Sequence, residues 1–527
     1  MDVTRAEVSR RRLLTATASV AGLATLGQMP ALESAAAAPA LRGGRYPFRL
    51  GIASGSPRAD GMVLWTRLVP QLFEPDGGMP DRRVPVDWQL ATDPGMRRVV
   101  RRGTAWALPR LAHSVHVELS GLQPGRDYFY RFRYRHDVTE VGHTRTTPRP
   151  SDRVAALTFA AASCQKWEDG YYSAYRAMAE DDLDFVLHLG DYVYEYAIPA
   201  DGGLRQRWVP EVLAETPVDL RRWRFQYAIT KSDPHLQRAH RRFPFVVTWD
   251  DHEVANDYAN TQTPAGDISA LRAAAYQAWY EHSPVRARAN PRGESPRVYG
   301  RMHWGDLAQI DVLDGRRYRD VPPCGWGEAQ ACEAAYDPAI SMLGRKQERW
   351  LRDGLNRSTA RWSVIGSNVM MGRLDHDGRA GDLLWNDAWD GFPEARNRLS
   401  RQIVRSGIRN PVVVSGDWHS TFVNDILLDF DRPDSPVIAS EFVTTSISSN
   451  GDTPVYGPYY GPMIKFNPHI KYFDGDRRGY QRYTIDRHRW RTDLRMVSSV
   501  ASPQARDYTL ASFVVRDGVP GAVRVRG

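Results

Sequence analysis

The chain has 527 residues, of which 42% are hydrophobic and 25% charged, with 16 Trp and 24 Tyr. It is too long for one ordinary core, which predicts two domains, and too aromatic for a disordered chain. Its formal net charge of +8 gathers into no basic tail, which excludes a nucleic-acid-binding module and leaves room for an anionic substrate or surface.

The first element is a leader. Ser9–Arg10–Arg11–Arg12–Leu13–Leu14 is a twin-arginine pattern, followed by the mildly apolar Ala16–Gly27 and by Ser34–Ala35–Ala36–Ala37–Ala38. Cleavage is expected near Ala38, which assigns residues 1–38 to a signal peptide. The leader implies the twin-arginine translocase as a partner during export, a cargo that folds and takes up metal before leaving the cytoplasm, and a secreted, periplasmic or cell-envelope location. Association with the cell wall fits that location. The apolar part is too short to span a membrane and no later stretch qualifies, so no transmembrane anchor is expected.

Residues 43–148 read as a separate all-β unit. Strand-like runs follow Val84 to Leu90, His113 to Leu119 and Tyr128 to Tyr134, parted by turns. The turn Leu122–Gln123–Pro124–Gly125 before Tyr128 resembles the tyrosine corner of a fibronectin-like sandwich. Thr146–Thr147–Pro148–Arg149–Pro150 is the expected linker.

From Ser151 to the end, strands alternate with helical patterns, which predicts an α/β domain over 151–527. Its strands stop in corners that carry chemistry. Leu157–Ala162 ends in Ser163–Cys164–Gln165, and Phe185–Leu189 in Gly190–Asp191–Tyr192–Val193–Tyr194. Pro244–Trp249 ends in Asp250–Asp251–His252–Glu253, and Pro411–Ser415 in Gly416–Asp417–Trp418–His419. Trp362–Ile365, ending in Gly366–Ser367–Asn368, is a fifth candidate. Ligands of open α/β sheets gather at the carboxyl ends of strands, so one shared site is expected there. His188, in mid-strand, reads as a core histidine, and Arg316 and Arg317 as partners of acids at a strand end. Helices are expected after the Cys164 corner, over Ser269–His282, and from Gly344 onward.

Cys324 and Cys332 lie in one loop and would pair as a local disulfide outside the cytoplasm, which leaves Cys164 either as inert core or as a metal-bound thiolate. A thiolate, a phenolate and an imidazole suit iron, whereas carboxylates and an amide oxygen suit calcium, magnesium or manganese. Two cations a few Å apart are a common clamp for phosphate-ester hydrolysis.

The order and content of these motifs resemble the calcineurin-like metallophosphatases, and in particular the PhoD-type alkaline phosphatases. The distinctive points are Cys164 in the first motif, Asp251 in the third, and Asp417–Trp418–His419 in the last. The resemblance implies a fibronectin-like β-sandwich followed by a four-layer αββα metallophosphatase domain. It implies an exported phosphomonoesterase or phosphodiesterase with Fe³⁺ and Ca²⁺ as cofactors, or another divalent ion in the second site. Carried over, Cys164, Asp191, Tyr194 and His419 would hold iron. Asp191, Asp251 and Asp417, with Asn368, would hold calcium. His252 would be the catalytic group beside a phosphate-ester substrate, as hydrogen-bond donor or as the acid for the leaving oxygen. A phospholipase-type phosphodiesterase is one alternative. A secreted surface-binding protein with a structural metal is another, and the free His252 beside complete donor sets argues against it.

Overall fold

The apolar runs of the second half alternate between two destinations, and that alternation builds the layers. In the computed structural model, residues 46–290, 297–432 and 434–526 are described. The expected leader and its predicted cleavage site lie outside them. Phe159, Ala161, Phe185, Leu187 and Leu189 face one core, while Ala160, Ala162 and Val186 face another. Val364, Val412 and Val414 face the first core from the opposite side, while Ile365 and Val413 turn away from it. Strands buried on both faces need cover on both, and a period of two sends alternate residues to each.

The central core is thus clamped between two sheets. One has ten strands, in the order Val519–Val525, Asp507–Arg516, Arg489–Val497, Gly479–Asp486, Ala156–Ala162, Phe185–His188, Pro244–Val247, Ile52–Arg58, Gly61–Arg67 and Ser114–Glu118. The other has seven, in the order Gly300–Trp304, Ala308–Val312, Trp362–Ser367, Pro411–Ser415, Val437–Val443, Thr421–Leu427 and Ile470–Asp474. The strands that end in the predicted corners run parallel within each sheet. Helices cover both outer faces. Tyr175, Trp223 and Trp279 pack on the ten-stranded sheet, and Leu351, Leu355, Leu399 and Ile403 on the seven-stranded one. This is the expected four-layer αββα arrangement. Each fully buried side chain of this size contributes roughly 1.5–3 kcal/mol.

The helices expected over Ser269–His282 and from Gly344 form over Ser269–His282 and Gly344–Leu355, and that after the Cys164 corner is the short Ser173–Met178. The stretch from Tyr196 to His240 supplies two more, Leu220–Lys231 and Pro234–Arg242, whose first turns are capped by the Asp219 and Asp233 carboxylates. Among the described residues no helix is long and apolar enough to cross a membrane.

The N-terminal region is β-rich and has its own core, in which Met62, Leu64, Val86, Leu90, Tyr130 and Phe132 meet. The tyrosine corner is present, with the Gln123 N–H donating to the Tyr128 hydroxyl at 3.0 Å. The region is less separate than its patterning suggests. Ile52–Arg58 runs parallel to Pro244–Val247, and Gly61–Arg67 continues the same sheet. The reason is in the residues: Gly61–Arg67 is buried throughout, with Leu64 turned to the N-terminal core and Trp65 packed on Ala228.

Candidate metal centre

Four of the predicted site residues, Cys164, Asp191, Asp417 and His419, share a strained backbone, with φ of 58°, 56°, 70° and 50°. Non-glycine residues seldom adopt this left-handed form, and such strain persists only where the surroundings over-determine it. Here they do. The Cys164 N–H donates to the Gly190 carbonyl at 3.2 Å and that of Gln165 to the Asp191 carbonyl at 3.0 Å. The Gly416 N–H donates to the Asn368 carbonyl at 3.0 Å. Ser163 pairs with Ser446 and so pins the two sheets together at this end. The buried Glu253 carboxylate accepts the N–H groups of Asp191, Tyr192 and Asp250 at 3.0, 2.7 and 2.8 Å. Gly190, at φ 111°, admits no side chain, because a Cβ there would lie 2.3 Å from Asp250 Cβ.

These corners bring their side chains into three interlocking groups. Ligand atoms of Cys164, Asp191 and His419 lie within 4.8 Å of one another, as do those of Asp191, Asp251 and His252, and those of Asp250, Asp251 and Asp417. Asp191 links the first two groups and Asp251 the last two. Tyr194 joins the first, its hydroxyl 2.9 Å from Asp191 Oδ2, 3.2 Å from His419 Nε2 and 2.7 Å from Ser449 Oγ. His419 Nδ1 donates to the Asn450 side-chain oxygen, which leaves Nε2 turned inward. Asn368 is buried between corners. Its Oδ1 accepts the Gly315 N–H at 2.7 Å and its Nδ2 donates to the Trp249 carbonyl, so here its amide fastens backbone.

The donor set fits cations. Asp191 Oδ1 and Asp250 Oδ2 are buried without a hydrogen bond, a costly state for a carboxylate oxygen unless a positive charge faces it, and Asp251 Oδ1 has only the Arg316 guanidinium at 3.5 Å. Burial, then the neighbouring Asp191, pushes the Cys164 thiol and the Tyr194 phenol well up. Burial likewise raises Asp417 and Asp250 well above the carboxylate range, with Arg316 opposing it. A bound cation inverts this logic and favours the ionised forms.

Arg316 is where the sequence reading placed it, against acids, but at the heart of the site. Its fully buried guanidinium holds Asp250, both oxygens of Asp387 at 2.5 and 2.6 Å, and Asp417 at 2.9 Å. Arg319 meets Asp387 at 2.6 Å. Removing one partner of a buried pair of this kind costs about 3–5 kcal/mol. His188 is the expected core histidine. Its Nε2 lies 3.2 Å from Gln165 Oε1, and burial pushes it down to about 3. The Cys324–Cys332 disulfide is present and Cys164 is free and buried.

Sequence reasoning missed several groups. Glu195 closes the Asp191 motif and accepts from His252 Nδ1 at 2.8 Å and from the Asn256 N–H at 2.7 Å. With Nδ1 taken by Glu195, Nε2 is the remaining ring nitrogen, and one nitrogen of the ring lies within 4.8 Å of the Asp191 and Asp251 oxygens. Burial pulls His252 down, but Glu195, Asp251 and Asp191 outweigh it and hold the ring well above its usual range. Asp387 and Asn450 lie in loops, and no periodicity marks them.

The profile of the PhoD-like phosphatase matches residues 159–494, and that of the PhoD-like phosphatase N-terminal domain matches residues 33–148. The chain belongs to the PhoD-like phosphatase family. It is 40% identical to alkaline phosphatase D of Bacillus subtilis (strain 168) over 98% of this chain and 89% of that protein. A solved structure described as that of PhoD superposes with a TM-score of 0.86 at 40% identity, covering 93% of this chain and 94% of that one. This PhoD-like protein is accordingly a hydrolase acting on phosphate esters, which sets aside the surface-binding alternative.

Proposed function

We propose that this PhoD-like phosphatase is an exported enzyme that hydrolyses phosphate esters at an iron–calcium pair held by the strand-end corners. Cys164, Asp191, Tyr194 and His419 hold ferric iron, and Asp191, Asp251 and Asp417 hold calcium or another divalent ion, with Asn368 completing that set or bracing it. Asp191 is the shared anion. Such a pair neutralises the ester, acidifies a water and steadies the leaving oxygen. The chain's own contribution is positioning. Glu195 fixes His252 Nδ1, so that Nε2 can hold a proton for the leaving oxygen. Arg316 holds Asp250, Asp387 and Asp417 in place.

The observation that carries this reading is the charge count. Asp191, Asp250, Asp251, Asp387 and Asp417 carry five negative charges when all are ionised, against the two positive charges of Arg316 and Arg319, while His252 is paired off by Glu195, which leaves an excess of three negative charges. Ionised Cys164 and Tyr194 add two. One trivalent and one divalent cation offset that total. Export is supported by the twin-arginine pattern and by the Cys324–Cys332 disulfide, since such bonds persist in oxidising compartments. We further read residues 43–148 as the sandwich domain and 151–527 as the catalytic one.

Visible absorption tests the iron assignment. Ferric iron bound by Tyr194 and Cys164 should tint the concentrated protein through ligand-to-metal charge transfer, and Tyr194→Phe should shift or bleach the band. A colourless wild-type protein, fully active on nitrophenyl mono- and diesters, would contradict it.

A further inference from the structure

Away from the hydrolytic centre, the helices Gly344–Leu355 and Pro393–Ser406 lie side by side on the outer face of the seven-stranded sheet and enclose a groove of about 570 Å³. Its walls are two arginine stripes. Arg345, Arg349 and Arg352 line it from one helix and Arg398, Arg401 and Arg405 from the other. Spacings of three, four and seven residues put each set on one helix face, spread over about 10 Å of axis. Glu348 and Glu394 are the lining carboxylates. Glu348 is taken by Arg398 at 2.9 Å and Arg345 at 3.5 Å, and Glu394 by Arg401 at 2.6 Å. Arg352 meets only the adjacent Asp353, at 3.0 Å. Arg349 and Arg405 are exposed and form no ion pair among the described residues.

Six arginines against Glu348, Glu394 and Asp353 leave the groove three uncompensated positive charges. A solvated surface spreads such charge, whereas here it is gathered along a trough with Leu343, Trp389 and Ala395 among its lining residues. We propose that this trough is a docking site for a phosphodiester polymer, separate from the hydrolytic centre. Guanidinium forks suit phosphate oxygens, and facing stripes suit a chain that repeats its charge. A flat lipid surface cannot follow a trough, and a lone phosphate has no use for two stripes. The choice of a phosphate polymer rests on the phosphatase reading. A polymer held here would present its ester bonds to the centre at a raised effective concentration.

The test is fluorescence anisotropy of a fluorescein-labelled, hydrolysis-resistant phosphorothioate oligothymidylate with the whole protein, across a salt series. Wild type should bind with an affinity that falls as salt rises. Arg349→Glu/Arg405→Glu should bind at least about tenfold more weakly, with a log–log salt slope shallower by roughly one to two. Its kcat/KM on nitrophenyl phosphate should be unchanged, because neither residue lies at the hydrolytic centre. Equal binding by wild type and variant, no binding by wild type, or full displacement by inorganic phosphate would overturn the proposal. So would Arg349- and Arg405-dependent binding to anionic phospholipid vesicles without oligomer binding. Loss of nitrophenyl phosphatase activity in wild type with oligomer binding intact would instead strike the catalytic reading.

Discussion

Glu195 and His252 show how one contact defines a role. A histidine anchored at Nδ1 by a carboxylate 2.8 Å away presents Nε2 in a fixed direction, which is what a proton donor to a departing oxygen needs. His252→Ala should retain both metals while turnover falls about 10²–10⁴-fold. The loss should be smallest for nitrophenol esters, whose leaving group departs without a proton. Glu195→Gln should show the same dependence on leaving group with a milder loss. Steady-state rates on a series of aryl and alkyl phosphates, with metal content measured alongside, decide it. Equal loss across the series would make His252 an electrostatic or phosphate-holding residue, and loss of metal would make it a ligand. The group of Asp191, Asp251 and His252 atoms gives that last outcome a definite geometry.

At the scale of elements, what could be read from the sequence was whatever ends a buried strand. Cys164, Asp191, Asp251, Asp417 and His419 stand where apolar runs stop, so the parallel strands of each sheet bring their own residues to one end, and the packing of the two sheets brings Asp417 and His419 to the other three. Asp387 enters from the loop after the short strand Leu383–Trp385 and reaches Arg316 only through packing. Asn450 reaches His419 in the same way, from the segment after Val437–Val443. Neither position has a local signal. Asp250 and Glu253 stood inside a recognised motif, yet their tasks, holding Arg316 and capping backbone N–H groups, depend on neighbours far along the chain. Gly190 is the element-level test. Gly190→Ala places a methyl against Asp250 Cβ and its backbone nitrogen, 2.3 and 2.5 Å away, in a left-handed conformation. Stability should fall by about 1–3 kcal/mol or more, and metal retention should fall with it because the two corners part. Denaturant unfolding at the wild-type midpoint with full metal content would contradict this account of the corner.

Across the whole molecule, the two sheets meet at their carboxyl ends, and the Ser163–Ser446 pairing ties them where the donor groups converge. The N-terminal strands extend the same ten-stranded sheet. Met62–Val63–Leu64–Trp65 is the unbroken apolar run of a strand buried on both faces, and it was not singled out; nor does anything local name Pro244–Val247 as the partner of Ile52–Arg58, about 190 residues away. Every part of this arrangement meets at Asp191. Its backbone is held by Glu253, its Oδ2 faces Tyr194, and its Oδ1 has no hydrogen-bond partner. If it is the anion shared by two cations, neither should survive its loss, because adjacent cations without a bridging charge repel each other. The direct measurement is elemental analysis of wild type and Asp191→Ala, both purified without added metal. Iron and calcium should be near-stoichiometric in wild type and both should be lost from the variant, together with activity. A wild-type protein without iron, or a variant that keeps either ion at the wild-type ratio, would contradict the shared centre.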